Sequence, residues 1–528
     1  VKPRTSLALW TVVAACLAAL PARAAEAAES ATDRDAAALA ATIDKHVAAK
    51  WKEKGAQPAA LADDGEFLRR VTLDLNGRIP DILAARWFIE NPDANKRAEL
   101  VRKLLDNDLY ATHFADVWRQ ELFPGGADPL RGFNPFQTDP WLRKQFKDNV
   151  GYDKLARAIV IGNQADPGAQ QFLQVNEYKP EKVAARTARL FLGVKVECAQ
   201  CHNHPFAKWT RQQFWDYAAF FAMLPGGQQV RPRKGGVPVA AAPGELLIPG
   251  TDKKATPHFF DGKAPAVKAG EDPRVALADW MTSPDNPYFA RAAVNHTWEY
   301  FFGAGLVEPL DEESDDNPPS HPELLDEMAK AFAAHNYDLK FLMQSIVLSK
   351  AYQLSSRASH PGQDDPRLFA RARVRGLSPE QLYDSLAVAT NHPADEPADV
   401  APNPGFPFGP AQTARLEFLG RFPNQDKRVE TQTSILQALY FMNGKLTTDA
   451  TRPETNKNLK ALIEGKSVRN PRRVEQIFLI VLSRKPRPEE LERYVAYIEK
   501  GGPDGDKDKA LADVFWVLLN GGEFAANH

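Results

Sequence analysis

From residue 34 onward, apolar residues recur at three- to four-residue spacing. Leu39, Ile43, Val47 and Trp51 share one face of a first predicted helix. The same period predicts a second helix over 66-EFLRRVTLDLNG-77, which the Gly-Arg-Ile-Pro step breaks, a third over 81–90 and a fourth over 96–107. Further helical stretches are expected at 110–122, 139–149, 152–161 and 179–193. Thr210-x-x-Gln213 is a capping box opening 211-RQQFWDYAAFFAML-224. Phe214, Trp215, Tyr217, Phe220 and Phe221 nearly encircle that helix, so it should be buried on most sides.

The pattern then changes. Residues 225–273 accumulate Pro, Gly and Lys, and read as a linker with one short strand near 245–250. Helical periodicity resumes at 274–283 and 288–303. A helix start follows in which Ser320 is the N-cap, Pro322 sits in the first turn and Glu323 completes the box. Ser378-x-x-Gln381 repeats the device, and helical regions near 433–446 and 507–524 finish the chain. The expected fold is mainly α: two helical domains, 25–224 and 274–528, joined by a Pro/Gly-rich linker with minor β structure. Residues 67–81 also echo 476–490, which suggests related helical hairpins towards the two ends.

Composition narrows the class. The chain has 528 residues, 44% hydrophobic and 25% charged, with a formal charge of −2. That is an ordinary globular balance without the basic excess of a nucleic-acid binder. At the start, Lys2 and Arg4 precede the apolar run 7–20, and Ala22-Arg23-Ala24 follows. This is the layout of a secretory signal peptide over 1–24; the alternative takes Cys16 as a lipoprotein acylation site. No later stretch is long and apolar enough for a transmembrane helix. The expected address is therefore the periplasm, the cell envelope or the exterior.

That address sharpens the cysteine count. Of three cysteines, Cys16 lies in the leader, so Cys198 and Cys201 alone remain, directly before His202 in 195-KVECAQCHNHPFAKW-209. Cys-x-x-Cys-His is the attachment pattern of haem c: two thioether sulfurs on one side of a turn, and an imidazole that ligates the iron. Met223 is the candidate distal ligand nearest in sequence, with His113, His258 and His296 further options. Two other readings stay open. Cys198, Cys201, His202 and His204 could hold zinc, or Cys198 and Cys201 could form a disulfide or redox dithiol. Phe206 and Trp209 are expected to pack against the occupant of the site. The acidic run Asp311–Asp316 lacks the spacing of a calcium loop and reads as a solvated turn. Walker, dinucleotide and nucleophile-elbow motifs are absent.

The blocks EFLRRVTLDLNGRIPD (66–81) and EKVAARTARLFLGVKVECAQCHNHPFAKW (181–209), with the aromatic helix that follows, resemble the planctomycete cytochrome-C-like domain. Residues 272–326, GLSPEQLYDSLAVAT (376–390) and DVFWVLLNGGEF (513–524) resemble its usual C-terminal companion domain. The resemblance spans nearly the whole chain after the leader and implies an exported protein whose first domain carries Cys-x-x-Cys-His-x-His-Pro. The companion domain commonly shows Asn-Arg before the Trp of its long helix, where this chain has Asn295-His296. Together these features point to an exported haem c protein that transfers electrons to, or senses redox state for, a partner protein. It is expected to be an electron carrier more than an enzyme in its own right. The alternative is a helical binding or scaffold protein with zinc or a disulfide at the motif.

Overall fold

The computed structural model describes residues 30–123, 135–163, 165–204, 208–225, 230–231, 239–240, 245–268, 270–391, 415, 418–420 and 450–528. The leader, and the helix expected near 433–446, lie outside them. The described helices of the first half are α1 (Ala31–Lys54), α2 (Asp64–Asn76), α3 (Ile82–Glu90), α4 (Lys96–Leu105) and α5 (Asp108–Leu122). They continue with α6 (Pro135–Lys147), α7 (Tyr152–Ile161), α8 (Pro167–Val175), α9 (Pro180–Leu192) and α10 (Arg211–Ala218). The second half has α11 (Pro273–Met281), α12 (Phe289–Phe302), α13 (Pro322–Ala334), α14 (Leu339–Leu348) and α15 (Pro379–Thr390). The last are α16 (Lys457–Glu464), α17 (Asn470–Leu482), α18 (Pro488–Lys500) and α19 (Lys507–Leu519). Sheet structure among the described residues is three two-stranded antiparallel ribbons. The fold is mainly α, as the periodicity predicts.

Local signals explain many helix ends. The capping boxes at Thr210 and Ser378 form as expected. At α13 the structure departs from expectation. His321 takes the N-cap position without a side-chain cap bond, and the Ser320 hydroxyl instead donates to the Leu306 carbonyl at 3.1 Å. The expected box fails because Ser320 is held by the preceding loop. Helices α8, α14, α16, α17 and α18 are not among the helices expected from the sequence. In α14, LKFLMQSIVL is apolar nearly all round, so no 3.6-residue period stands out. The echo between 67–81 and 476–490 corresponds to two hairpins, α2–α3 and α17–α18. In each, the first helix ends in a left-handed residue, Gly77 (φ 71°) or Ser483 (φ 60°), before a proline-containing turn.

Two apolar clusters form the interior, and both draw on each half of the chain. The larger runs from Ala36 in α1 through α2, α5, α7, α9 and α10 to α11–α14 and on to Leu479. The smaller combines Leu73 and Ile79 with α15 to α19. The segment read as a linker adds Leu246, Ile248, Ala255 and Phe260 to the larger cluster.

Helix α2 lies where the clusters meet, and Gly65–Asn76 is buried throughout. Five of these buried residues are charged or carry an amide, and buried charges must be hydrogen-bonded and are best paired. All four charged side chains are hydrogen-bonded, and Glu66, Arg70 and Asp74 are also ion-paired. Arg69 donates to the carbonyls of Val481 (3.2 Å) and Phe524 (2.8 Å). Arg70 donates to those of Tyr352 (2.7 Å) and Leu354 (2.8 Å) and pairs with Glu66 at 2.7 Å. Asp74 accepts from Arg375 (2.8 Å), the Tyr352 hydroxyl (2.8 Å) and Asn527 (2.7 Å). The polar residues of α2 thus fasten it to residues 352–375 and to the last ten residues of the chain.

Candidate functional site

Helix α9 ends at Gly193, whose φ of 62° suits a left-handed cap. The chain then runs beside the acidic loop: Val194 bridges Glu312, and the Lys195 amide donates to the Asp311 carbonyl at 3.1 Å. A 3₁₀ turn follows at Glu197–Gln200. At three residues per turn, positions i and i+3 lie one above the other. The Cys-x-x-Cys spacing therefore suits presentation of both sulfurs from one side. Ala199 is buried beneath, while Cys198, Cys201 and His202 are exposed, the cysteines as free thiols. The amides of Cys201 and His202 both point to the Cys198 carbonyl, at 3.4 Å.

Helix α10 holds this turn from behind. Its Trp215 indole N–H donates to the Gln200 carbonyl at 3.0 Å, and the Arg211 amide donates to Asn203 Oδ1 at 2.9 Å. The His204 amide donates to the Trp209 carbonyl at 2.8 Å. Trp209 is buried against Phe260, with ring centroids 4.8 Å apart. Phe214, Trp215, Tyr217, Phe220 and Phe221 are all buried, as the encircling pattern predicts. Phe206 lies outside the described residues.

The donor set meets the chemical requirements of haem c. The two thiols are not bridged to each other, and both are exposed. His202 Nδ1 sits 2.8 Å from the Asn203 carbonyl, so this nitrogen carries the proton and donates it. That tautomer leaves the Nε2 lone pair for a metal, the usual arrangement of a ligating histidine. The other candidates are placed differently. Met223 is 57% exposed. His113 Nε2 lies 2.7 Å from the Tyr300 hydroxyl in the core, and His258 Nδ1 lies 2.9 Å from the Thr256 carbonyl. Among the described residues, no three His, Cys, Asp or Glu side chains converge as metal ligands.

His296 Nε2 is engaged by Asp311 at 2.5 Å, and Arg189 holds the other carboxylate oxygen at 3.1 Å. Burial alone would lower the His296 pKa, but Asp311 overrides it and raises the value to about 9. At neutral pH the imidazole is a cation, which supplies the charge that an arginine would bring at this position. The start of the acidic loop is accordingly docked, since Asp311 meets His296 and Arg189, Glu312 meets Lys195 and Glu313 meets Arg291, while Glu313, Asp315 and Asp316 are exposed as expected of a solvated turn.

A second charged group has no signal in the sequence. Arg119 on α5 contacts Asp116 (3.1 Å), Glu380 (3.2 Å) and Asp139 (3.5 Å), and Arg415 contacts Asp116 (3.0 Å) and Asp384 (3.3 Å). Burial raises Asp139 to about 6, against the pull of Arg119. It would raise Asp116 too, but Arg415 and Arg119 more than offset it. These residues come from segments hundreds of positions apart, so only folding assembles them.

Comparison with known proteins covers the residues that carried the resemblance, except the block 513–524. Residues 42–225 match the family PSCyt2, described as a protein of unknown function (DUF1549). Residues 273–417 and 410–498 match PSD1, a protein of unknown function (DUF1553). No curated protein and no solved structure matches the chain. No described helix is long and apolar enough to cross a membrane.

Proposed function

We propose, for a chain that belongs to the PSCyt2 and PSD1 families, that the turn at Cys198–His202 is an attachment site for haem c in an exported protein that passes electrons to, or senses redox state for, a partner. The observation that carries this reading is the joint presentation of two free thiols and a suitably tautomeric His202 on one exposed turn. Cys198 and Cys201 would form the thioethers, and His202 Nε2 would be the proximal ligand. The bound group would supply reversible one-electron chemistry at the surface. The chain's own residues position it. Helix α10 fixes the turn through Gln200 and Asn203, and the Asn203 carbonyl orients the imidazole. Solvent exposure of the turn suits exchange with a docked partner protein. Export by residues 1–24 is part of the same proposal, because thioether formation takes place outside the cytoplasm.

The test is production of the chain with its leader in a host competent for cytochrome c maturation. The expected result is a haem-staining band that survives denaturing electrophoresis and disappears in Cys198→Ser/Cys201→Ser. Unmodified thiols in the secreted protein, with zinc by metal analysis, would overturn the haem reading in favour of a structural metal site. The mass of the mature N-terminus checks cleavage after residue 24.

A further inference from the structure

Helix α19 has two different faces. Ala510, Leu511, Val514, Phe515 and Leu518 are buried in the smaller apolar cluster. Lys509, Ala512, Asp513 and Trp516 stand at i, i+3, i+4 and i+7, which is one continuous helical stripe. That stripe lines an open cavity of about 470 Å³ at the surface, whose other wall includes Gly501 and Asp504 in the loop after α18; Asp504 and Lys509 on its rim are exposed. The size is in the range that holds small ligands.

The loop is built to leave this space. Gly501 has φ 76°, and a Cβ there would lie 2.3 Å from the Gly505 carbonyl carbon, so the chain doubles back on itself only with glycine. The polar groups are preset. The Tyr497 hydroxyl donates to Asp513 Oδ2 at 2.7 Å, and Lys509 Nζ donates to Asp504 Oδ2 at 2.9 Å. Each carboxylate keeps a second oxygen, and the ammonium has further protons to give. The cavity therefore offers acceptors, a donor and the half-buried indole of Trp516.

The charges select the ligand class. Two carboxylates disfavour an anion; Lys509 neutralises Asp504, and the remaining carboxylate, Asp513, already accepts from the Tyr497 hydroxyl, so little charge is left for a cation. A neutral ring with hydroxyls on its edge and C–H groups on its face matches all three features. We propose that this cavity binds a neutral saccharide, with a sugar ring stacked on Trp516 and its hydroxyls shared between Asp513, Asp504 and Lys509. All but one of the residues that define it lie beyond residue 498, where the PSD1 match ends. The proposal is independent of what occupies Cys198 and Cys201.

The experiment is calorimetric titration of the full chain with glucose, galactose, xylose, cellobiose and xylobiose, and with choline as the cationic control. At least one saccharide is expected to bind while choline does not. Trp516→Ala should weaken that binding by roughly tenfold or more, since an aromatic stacking partner is removed. Asp513→Asn, which keeps the shape, should weaken it with an unchanged unfolding temperature, so that lost binding is not lost folding. Failure of every saccharide to bind, undiminished binding by Trp516→Ala, or choline binding in preference would each overturn the proposal.

Discussion

The helix Asp64–Asn76 and the turn Glu197–Gln200 carry the two most distinctive motifs of this chain, and the fold treats them in opposite ways. In the helix, Glu66, Arg69, Arg70 and Asp74 are buried, and besides the Glu66–Arg70 pair their partners lie 278 to 458 residues away. In the turn, Cys198, Cys201 and His202 face solvent, and the residues that hold them are within about fifteen positions. A polar motif in the interior cements distant segments, because each unmet charge would be costly. A polar motif on a locally held surface turn can be spent on chemistry, because stability does not depend on its side chains. The first motif fits an architectural role and the second a site.

This contrast can be broken by mutation. The largest effect is expected for Asp74→Ala, which strands Arg375 and the Tyr352 hydroxyl in the core. Loss of one partner of such a pair costs about 3–5 kcal/mol, read as a lowered denaturant midpoint with both halves unfolding together. A transition in which residues 274–528 stay folded would argue against α2 as the common fastener. Next comes Arg69→Met, which leaves the carbonyls of Val481 and Phe524 without their donor. About 2–3 kcal/mol is expected, with hydrogen exchange accelerated first in residues 519–528.

The pair His296–Asp311 lies between the two extremes, partly buried and directly behind the motif strand. Its histidine titrates at about 9 in the fold against 6.5 when free. The proton is held more tightly by the folded state, so the stabilisation is complete below pH 6.5 and is lost as pH rises through 9. A fall of roughly 3 kcal/mol over that window is expected in the wild type, and His296→Gln should flatten it. A wild-type profile level from pH 6.5 to 9 would count against the ion pair. The smallest stability change belongs to Cys198→Ser/Cys201→Ser, within about 0.5 kcal/mol as for other exposed sites, although haem attachment should vanish. A large destabilisation there would turn the motif into a structural element and remove the contrast.

Much of the local structure could be read in advance, and the reasons are specific. Helices α1 to α5, α7 and α9 have apolar stripes with the right period, and Thr210 and Ser378 carry complete capping boxes. Ser320 shows the limit: its box letters are present, but a tertiary bond to Leu306 takes the hydroxyl. The candidate site Cys198, Cys201 and His202 could be proposed from the sequence because its residues fall within five positions. The Asp116–Arg119–Asp139–Glu380–Asp384–Arg415 group was not, because no local pattern links residues 116 and 415.

The sequence alone determined what depends on neighbours along the chain: the helical class, many helix ends, and a compact Cys-Cys-His donor set. The tertiary structure decided what depends on distant neighbours. It placed the charged helix 64–76 in the interior and left the cysteine turn at the surface, and it made His296 a cation by setting Asp311 beside it. Burial and long-range pairing set the energy of a charge, and neither is written in the residues that flank it.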